Sequence, residues 1–343
     1  MTAPVAASTR HLMLRPAWLA LHHEAALQPE LAIIDPHHHF WVEEGVAYRP
    51  ADYAADVVAS GHRITASVHL ECRQNYRDGG DPALAPIGET ESVVREVALP
   101  IAAGASRIAA GIVVHADLIL GDGVGRVLDA QIAAGEGRVR GLRYATVSHA
   151  DPSARGAMLN RQPGLMAEPA FRAGFAALAP RGLSFDAWIY HTQILELAHL
   201  ARAFPETTIV LDHLGGVLAI GPYAGRRDEV HAAWARHLRT LAACPNVRVK
   251  IGGMGMRLWG FGFEAGGRPP TSERLAAAWK PYVETAIECF GADRCMLESN
   301  FPVDKVAAGY GIVWNAFKRL TSTASDTERA GLFHDTAAAV YRL

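Results

Sequence analysis

A strand end carrying two histidines one residue apart is the first place where this chain can do chemistry. Ile33-Ile34-Asp35-Pro36-His37-His38-His39 reads as a buried strand running into imidazoles. Side chains alternate across a strand, so His37 and His39 share a face with Cα atoms roughly 6.6 Å apart. Both rings then reach one divalent cation bound at about 2.0–2.1 Å from each nitrogen. His38 points the other way, toward packing or a hydrogen bond. The plain alternative is a histidine-rich strand end that holds no ion. A second apolar run, Ile209-Val210-Leu211, ends in Asp212-His213, and two glycines leave room above that ring. A third, Met296-Leu297, leads into Glu298-Ser299-Asn300, with Glu298 and Asn300 on one face. His37, His39, His213 and Glu298 are thus the candidate metal ligands, with zinc or manganese the ions such a set takes. His213 and Glu298 are also candidates for moving a proton to or from water, although Glu298 could equally serve a structural ion pair.

Around these lie groups suited to a polar substrate. Arg143, near the end of Val139–Thr146, can clamp a carboxylate or polarise an ester carbonyl, and is the third catalytic candidate. His69 and Glu71, two apart, are expected on one pocket-facing side of their strand. Lys250 is expected either at the pocket or paired with Glu298 or Glu71, since an interior ammonium needs a partner. His191 is either a ligand or the start of a helix, and His115 belongs to the rim. Trp41, Tyr190 and Asn300 complete the expected substrate-binding set. Phe40, Trp188, Trp259, Phe261, Phe263 and Phe301 also crowd strand ends, which points to a partly apolar pocket for a ring compound or ester.

Eight β-rich runs must position these groups: Leu31–Phe40, Arg63–Cys72, Ile108–Asp117, Val139–Thr146, Leu183–Tyr190, Thr208–Gly215, Val247–Gly255 and Arg294–Pro302. Between them, Glu91–Ala103, Gly125–Ala134, Thr192–Ala203, Val230–Ala243 and Ser272–Phe290 show apolar residues at helical spacing. Strands alternating with helices imply a parallel sheet, and eight such units imply an α/β fold of the (β/α)8 TIM barrel type, with active-site loops at the strand C-termini. An open doubly wound sheet is the runner-up, weakened because no GxGxxG opens the first turn. The loops 73–88 and 252–270 are long and rich in glycine and proline, as rim loops would be. Residues 1–30 read as an N-terminal extension with a short helix, and 31–343 as one barrel domain.

The 33 basic and 35 acidic residues in 343 nearly cancel, which excludes a dedicated nucleic-acid binder. No apolar run is long enough to span a bilayer, and the N-terminal apolar stretch is broken by His22, His23 and Glu24, unlike a secretory signal. The four cysteines form no CxxC pair and read as thiols of a reducing, cytoplasmic compartment, with Cys72 a small buried hydrophobe. The expected partner is a small-molecule substrate, with neither nucleic acid nor membrane, and self-association into a homo-oligomer is left open.

Taken together, the motifs resemble the amidohydrolase superfamily, and within it the amidohydrolase-related barrels that include sugar lactonases and 2-pyrone-4,6-dicarboxylate lactonase. The resemblance runs from Ile34 to Leu343. It rests on the His37/His39 segment, Val68-His69-Leu70-Glu71 with Pro86-Ile87-Gly88-Glu89-Thr90, and Val139-Arg140-Gly141-Leu142-Arg143. It continues through Ser184-Phe185-Asp186, Asp212-His213-Leu214-Gly215, Val249-Lys250-Ile251-Gly252-Gly253 and the closing Asp335-Thr336-Ala337. It implies a hydrolase with its site at the strand C-termini. The family pattern places a water-activating Asp where this chain has Asn300, and an amide is no general base. Glu298, where the pattern has glycine, is then a relocated carboxylate; otherwise the departure weakens metal binding or water activation and the activity has drifted. The reading that results is hydrolysis of a small lactone or cyclic ester. A metal-dependent non-oxidative decarboxylase and a non-catalytic binding barrel are the alternatives.

Overall fold

Short apolar runs separated by amphipathic helices can bury both of their faces only as parallel strands inside a ring of helices. The computed structural model, which describes residues 14–43, 46–102, 104, 106–155 and 159–343, has this arrangement. Its barrel strands are β1 Ala32–His38, β2 Arg63–Leu70, β3 Arg107–Val114, β4 Val139–Ala145, β5 Ser184–Trp188, β6 Ile209–Leu211, β7 Val247–Ile251 and β8 Cys295–Leu297, and a separate short antiparallel pair, Trp41–Glu43 with Val46–Tyr48, follows β1. They pair in parallel, in chain order, from β1 to β8. The ring closes just beyond β8: Asn300 donates its backbone N–H to the His37 carbonyl at 3.0 Å, and His39 donates to the Phe301 carbonyl at 2.8 Å. The expected (β/α)8 barrel is the fold of this protein, and the open sheet is not.

Helices Gly125–Ala134 and Ser272–Phe290 have the bounds their spacing predicts. The expected helix Glu91–Ala103 instead spans Ile87–Val97. It begins directly after Pro86 and stops short of Pro100, because proline suits a helix start and disfavours helical geometry in the residue before it.

Two apolar layers result. The larger joins the outer faces of the strands to the helices. The smaller fills the lower barrel with Ile34, Ala66, Val68, Leu70, Val113, Val210 and Met296, plugged from below by Ala337 and Tyr341 of the C-terminal helix Thr336–Tyr341. Side-chain parity on β1 changes midway. Asp35 pairs with Ser67 but His38 with His69, so β1 has one residue more than β2 in that stretch. This bulge turns His37 inward although Ile34, three residues earlier, also faces in.

Residues 14–30 cross the outside of the barrel. Residues 1–13, part of the expected extension, lie outside the described residues. Trp18 Nε1 donates to the Gly266 carbonyl at 2.8 Å, and Leu27 N donates to Asn315 Oδ1 at 2.8 Å. Lys318 Nζ donates to the carbonyls of Leu27 and Gln28 and to His62 Nδ1, at 2.8, 2.8 and 2.9 Å. His62 must therefore be neutral. Burial, and then the Lys318 charge, push its pKa down to about 4, with the Gly311 carbonyl opposing them. A histidine depressed by folding adds stability above its unfolded value near 6.5, and that stability is lost as pH falls toward 4. The urea midpoint is accordingly expected to fall between pH 6.5 and 4, and to fall less in His62→Gln, whose amide oxygen can still accept from Lys318. Equal losses in both proteins would remove His62 from the account.

Candidate active site

Above the apolar plug the barrel interior becomes ionic. β5 turns Asp186 inward, β6 leads into Asp212, β7 turns Lys250 inward, and Glu298 follows β8; all four are fully buried. Lys250 Nζ donates to Asp186 Oδ2 at 2.6 Å and lies 3.2 Å from Asp212 Oδ1. Tyr341, from the bottom plug, also donates to Asp186 Oδ2, at 2.6 Å. Burial works against the ammonium, but Asp186, Asp212 and Glu298 outweigh it and hold Lys250 above the ordinary lysine value. Lys250 was expected at the pocket, or paired with Glu298 or Glu71. It sits instead beneath His37, 3.4 Å from that ring's Nδ1, and its partners are Asp186 and Asp212.

His37, His213 and Glu298 come together on this base. Each offers a ligand atom, and these atoms lie within 4.8 Å of one another. Glu298 Oε1 accepts from His213 Nδ1 at 2.6 Å, and Glu298 Oε2 lies 2.9 Å from His37 Nδ1. Room for the pair comes from Gly252-Gly253. A Cβ on Gly252 would lie 2.3 Å from Glu298 Cγ, and one on Gly253, whose φ is +66°, would lie 2.6 Å from His213 Cγ. His213 itself has φ 53° and Asn300 φ 53°, a left-handed geometry costly for side chains with a Cβ and typical of residues held for function. Burial drives His213 down to about 3; Asp212 pulls it up, while Arg143 and Lys250 push it further down. Glu298 is raised well above the usual carboxylate range, chiefly by burial, with Lys250 pulling it down. The two groups together therefore hold a proton at their shared hydrogen bond rather than two full charges.

His39 stands on the other edge of the His37 ring, its Nε2 3.1 Å from His37 Nε2. Its Nδ1 donates to the Leu70 carbonyl at 2.9 Å, which leaves the Nε2 lone pair directed at His37. Arg143 donates from Nε to Glu71 Oε1 at 2.9 Å and from Nη2 to the Glu71 carbonyl, and its Nη1 lies 3.4 Å from His37 Nε2. Two imidazoles, the Glu298 carboxylate and the Asp212 carboxylate, whose oxygens take part in close ionic contacts with Lys250 and His37 but, at Glu298 Oε2 and Asp212, in no hydrogen bond, are nitrogen and oxygen donors that suit zinc or manganese. The Lys250 and Arg143 charges beside His37 work against such an ion.

A cavity of about 340 Å³ opens above this centre. His39, Trp41, Glu71, Arg143, Trp188, His213 and Asn300 line it. Trp188 meets the His213 ring edge to face at 4.9 Å between centroids, and Trp41 stacks on His39 at 6.2 Å. His115 also lines the cavity, as a rim residue would. Three expected substrate contacts are absent from its walls: Lys250, which lies beneath His37, and His69 and Tyr190. His69 faces the helix layer, stacked on Phe40 at 5.0 Å and 3.8 Å from Glu89. Strand β2 ends at Leu70, so the chain turns there and sends Glu71 into the mouth, whereas the alternation used in the sequence carried His69 with it. Tyr190, beyond the end of β5, is fully buried behind Trp188, and it is Trp188 that reaches the pocket. His191 accepts from Leu218 N at 3.2 Å at the start of a helical turn, away from the His37 centre. Trp259, Phe261 and Phe263 stack on one another and on Tyr282 instead of facing the cavity. Cys72 is buried beside the cavity, its thiol donating to the Phe40 carbonyl at 3.1 Å.

Asp186 and Asp212 were not singled out from the sequence, although an interior lysine calls for acids on neighbouring strands. The arginines of the mouth, Arg73, Arg155, Arg161 and Arg257, were missed as well, because they sit on loops whose direction no periodicity sets.

Known proteins share this architecture. Residues 34–343 match the family model described as Amidohydrolase. An uncharacterized protein, y4mH of Sinorhizobium fredii, is 36% identical over 339 residues, covering 92% of this chain and 99% of that one. An L-fucono-1,5-lactonase of Burkholderia multivorans is 27% identical over 320 residues, covering 90% and 96%. A crystal structure of an amidohydrolase from Burkholderia multivorans with bound zinc superposes with TM-score 0.68 at 24% identity, over 91% of this chain and 99% of that one. No helix among the described residues is long and apolar enough to cross a membrane.

Proposed function

This chain belongs to the amidohydrolase family, and from that premise we propose that it opens a small lactone or cyclic ester by water attack at the barrel mouth. The observation that carries the reading is the 2.6 Å bond between His213 Nδ1 and Glu298 Oε1 in a ring that also lines the cavity. With Nδ1 occupied, Nε2 is the nitrogen left for a substrate water, the logic of a carboxylate-oriented catalytic histidine. Similarity to an L-fucono-1,5-lactonase over most of both chains supports the same reaction class.

His213 Nε2 takes a proton from the attacking water while its oxygen bonds to the ester carbonyl carbon. Glu298 steadies the imidazolium that forms. Arg143, anchored on Glu71 by Nε and Nη2, presents Nη1 to the oxygen that gains charge. Such a preorganised donor in a water-poor site is worth several kcal/mol of barrier, about 2.7–4 for one oxyanion contact. The ring C–O bond then breaks, and the leaving alkoxide takes the proton back from His213. Trp41, Trp188 and Asn300 bound the space for the ring. His37, His213 and Glu298, with His39 alongside, are the residues that would hold a zinc or manganese ion, and such an ion would polarise the carbonyl as a Lewis acid.

The test is a pH-stat assay over 1,4- and 1,5-lactones of sugars. Base consumption is expected with at least one of them and is expected to vanish in His213→Ala. Release of CO2 from carboxylated aromatics with no lactone opened would assign the barrel to decarboxylation, and binding without turnover of either class would make it a binding protein.

A further inference from the structure

The candidate site is assembled across the barrel's seam between β8 and β1. From β1 to β8 each strand pairs with the next by a ladder, but among the described residues no ladder joins β8 back to β1. An isolated bridge, His38 with Phe301, spans the gap. Glu298 follows Leu297, the last ladder residue of β8, and its backbone N–H donates to the Ile251 carbonyl at 3.1 Å, which ties it to β7. Its carboxylate nevertheless meets His37 of β1, with Oε2 2.9 Å from Nδ1. Strands with few backbone hydrogen bonds between them open more easily than laddered ones, so this short distance needs another tie.

Asp35 offers one. Next along β1 from the inward-facing Ile34, its side chain turns outward and is fully buried against two helices. Oδ1 accepts from Ser299 N at 3.0 Å, and Oδ2 accepts from Ser299 Oγ at 2.6 Å. Oδ2 also accepts from Tyr53 OH, on helix Pro50–Ser60, and from Tyr310 OH, on helix Tyr310–Leu320, both at 2.9 Å. On its own strand, Oδ1 lies 3.4 Å from His37 N. Hydrogen bonds to a charged acceptor are roughly twice as strong as neutral ones. A carboxylate two residues before His37 thus grips the residue that follows Glu298. Ser299 also precedes Asn300, whose left-handed backbone persists only where its surroundings over-determine it. Asp35, Ser299, Tyr53 and Tyr310 do not line the cavity, so any effect they have on the reaction passes through their neighbours.

We infer that Asp35 is a positioning residue: it fixes Ser299, and through the adjoining backbone sets Glu298 against His37 and His213 across the seam. The inference deepens the ring-opening reading and rests on it for its kinetic half, while its spectroscopic half needs no substrate. Asp35→Asn keeps the shape, removes the charge and turns one acceptor into a donor. With it, kcat on an opened lactone is expected to fall about tenfold to a hundredfold, as for a reacting group displaced by about 1 Å. KM is expected to stay within about twofold, because Arg143 and Trp188 stand on β4 and β5. The comparison is Tyr53→Phe/Tyr310→Phe, which takes two donors from Oδ2 and leaves both Ser299 contacts. It is expected to lower the urea midpoint but to keep kcat within about twofold of the parent. If Asp35→Asn does not fold, Ser299→Ala replaces it, with a fall of about threefold to tenfold, the worth of one hydrogen bond.

Proton NMR of the intact protein reads the geometry without turnover. The short bond from His213 Nδ1 to Glu298 Oε1 is expected to give a far-downfield imidazole resonance that Glu298→Gln removes. It is expected to survive in the tyrosine double variant and to shift or vanish in Asp35→Asn. Loss of kcat and a changed resonance in Asp35→Asn, with both kept in the tyrosine variant, completes the case. The same resonance pattern with no lactone opened by any of these proteins would sink ring opening and keep the positioning role. A resonance or a kcat unchanged in Asp35→Asn, or an equal loss in the tyrosine variant, would overturn the inference and leave Asp35 as a support of the fold. A parent that lacks the resonance has no such bond to position and would overturn it too.

Discussion

Replacing Glu298 by glutamine is expected to lower kcat on an opened lactone by roughly a thousand- to ten-thousand-fold, with a much smaller change in KM. The carboxylate is fully buried and 2.6 Å from His213 Nδ1. A glutamine amide is nearly the same size, so the ring should keep its place. It carries no charge to steady an imidazolium, and if its NH2 faces Nδ1 it forces the proton onto Nε2, where a base is needed. Substrate contacts at Trp41, Trp188 and Arg143 are untouched, which is why binding should survive. Asn300→Asp is expected to be far milder. Asn300 Nδ2 donates to Asp304 Oδ1 at 2.9 Å. Burial raises Asp304 to about 8, so it can supply the shared proton that two neighbouring carboxyls need. Initial rates by pH-stat, with the purified variants checked for an unchanged fold, measure both. A Glu298→Gln enzyme within tenfold of the parent would show that the proton passes through another group.

Lys250→Met is expected to destabilise the barrel by about 3–5 kcal/mol, because it leaves buried carboxylates without their cation. Asp186, Asp212 and Glu298 all face this ammonium, and Lys250 and Asp186 are wholly shielded from solvent. Methionine fills most of the volume, so the loss is electrostatic rather than a cavity. Adding Asp186→Asn should recover part of it, since one uncompensated charge is removed while Tyr341 can still donate to the amide oxygen. Denaturant midpoints for the parent, the two single variants and the double variant close that cycle. A Lys250→Met protein as stable as the parent would mean that the carboxylates are already protonated and that the ion pair is weak.

How far the residues alone could be read differs along the chain. Eight apolar runs with helices between them determined the barrel, because a strand buried on both faces has few other partners. The spacing of His37 and His39, and the positions of His213 and Glu298 at strand ends, likewise marked groups that the fold does bring within a few ångströms. These are local signals, and strand periodicity carries them faithfully as long as the strand lasts. His69, Tyr190 and Lys250 show where that ends. His69 was assigned by pairing it with Glu71, and Tyr190 by counting on from β5, but Glu71 and Tyr190 both lie past the last ladder residue, where the backbone turns and parity no longer predicts direction. Lys250 was placed inside correctly, but its partners depend on which strands lie beside β7 and how high each acid stands.

The sequence by itself determined the fold class and brought forward His37, His39, His213 and Glu298 as strand-end candidates, since composition and period are properties of neighbours along the chain. Only the tertiary structure decided how those groups are paired and what charge faces the substrate. The one-residue bulge in β1 aims His37, the Gly252-Gly253 pair admits Glu298 and His213, and three separate loops bring their arginines to one mouth. Distances between residues hundreds of positions apart are set by closure of the barrel, and electrostatic energy depends on those distances and on burial, neither of which is written in any local pattern.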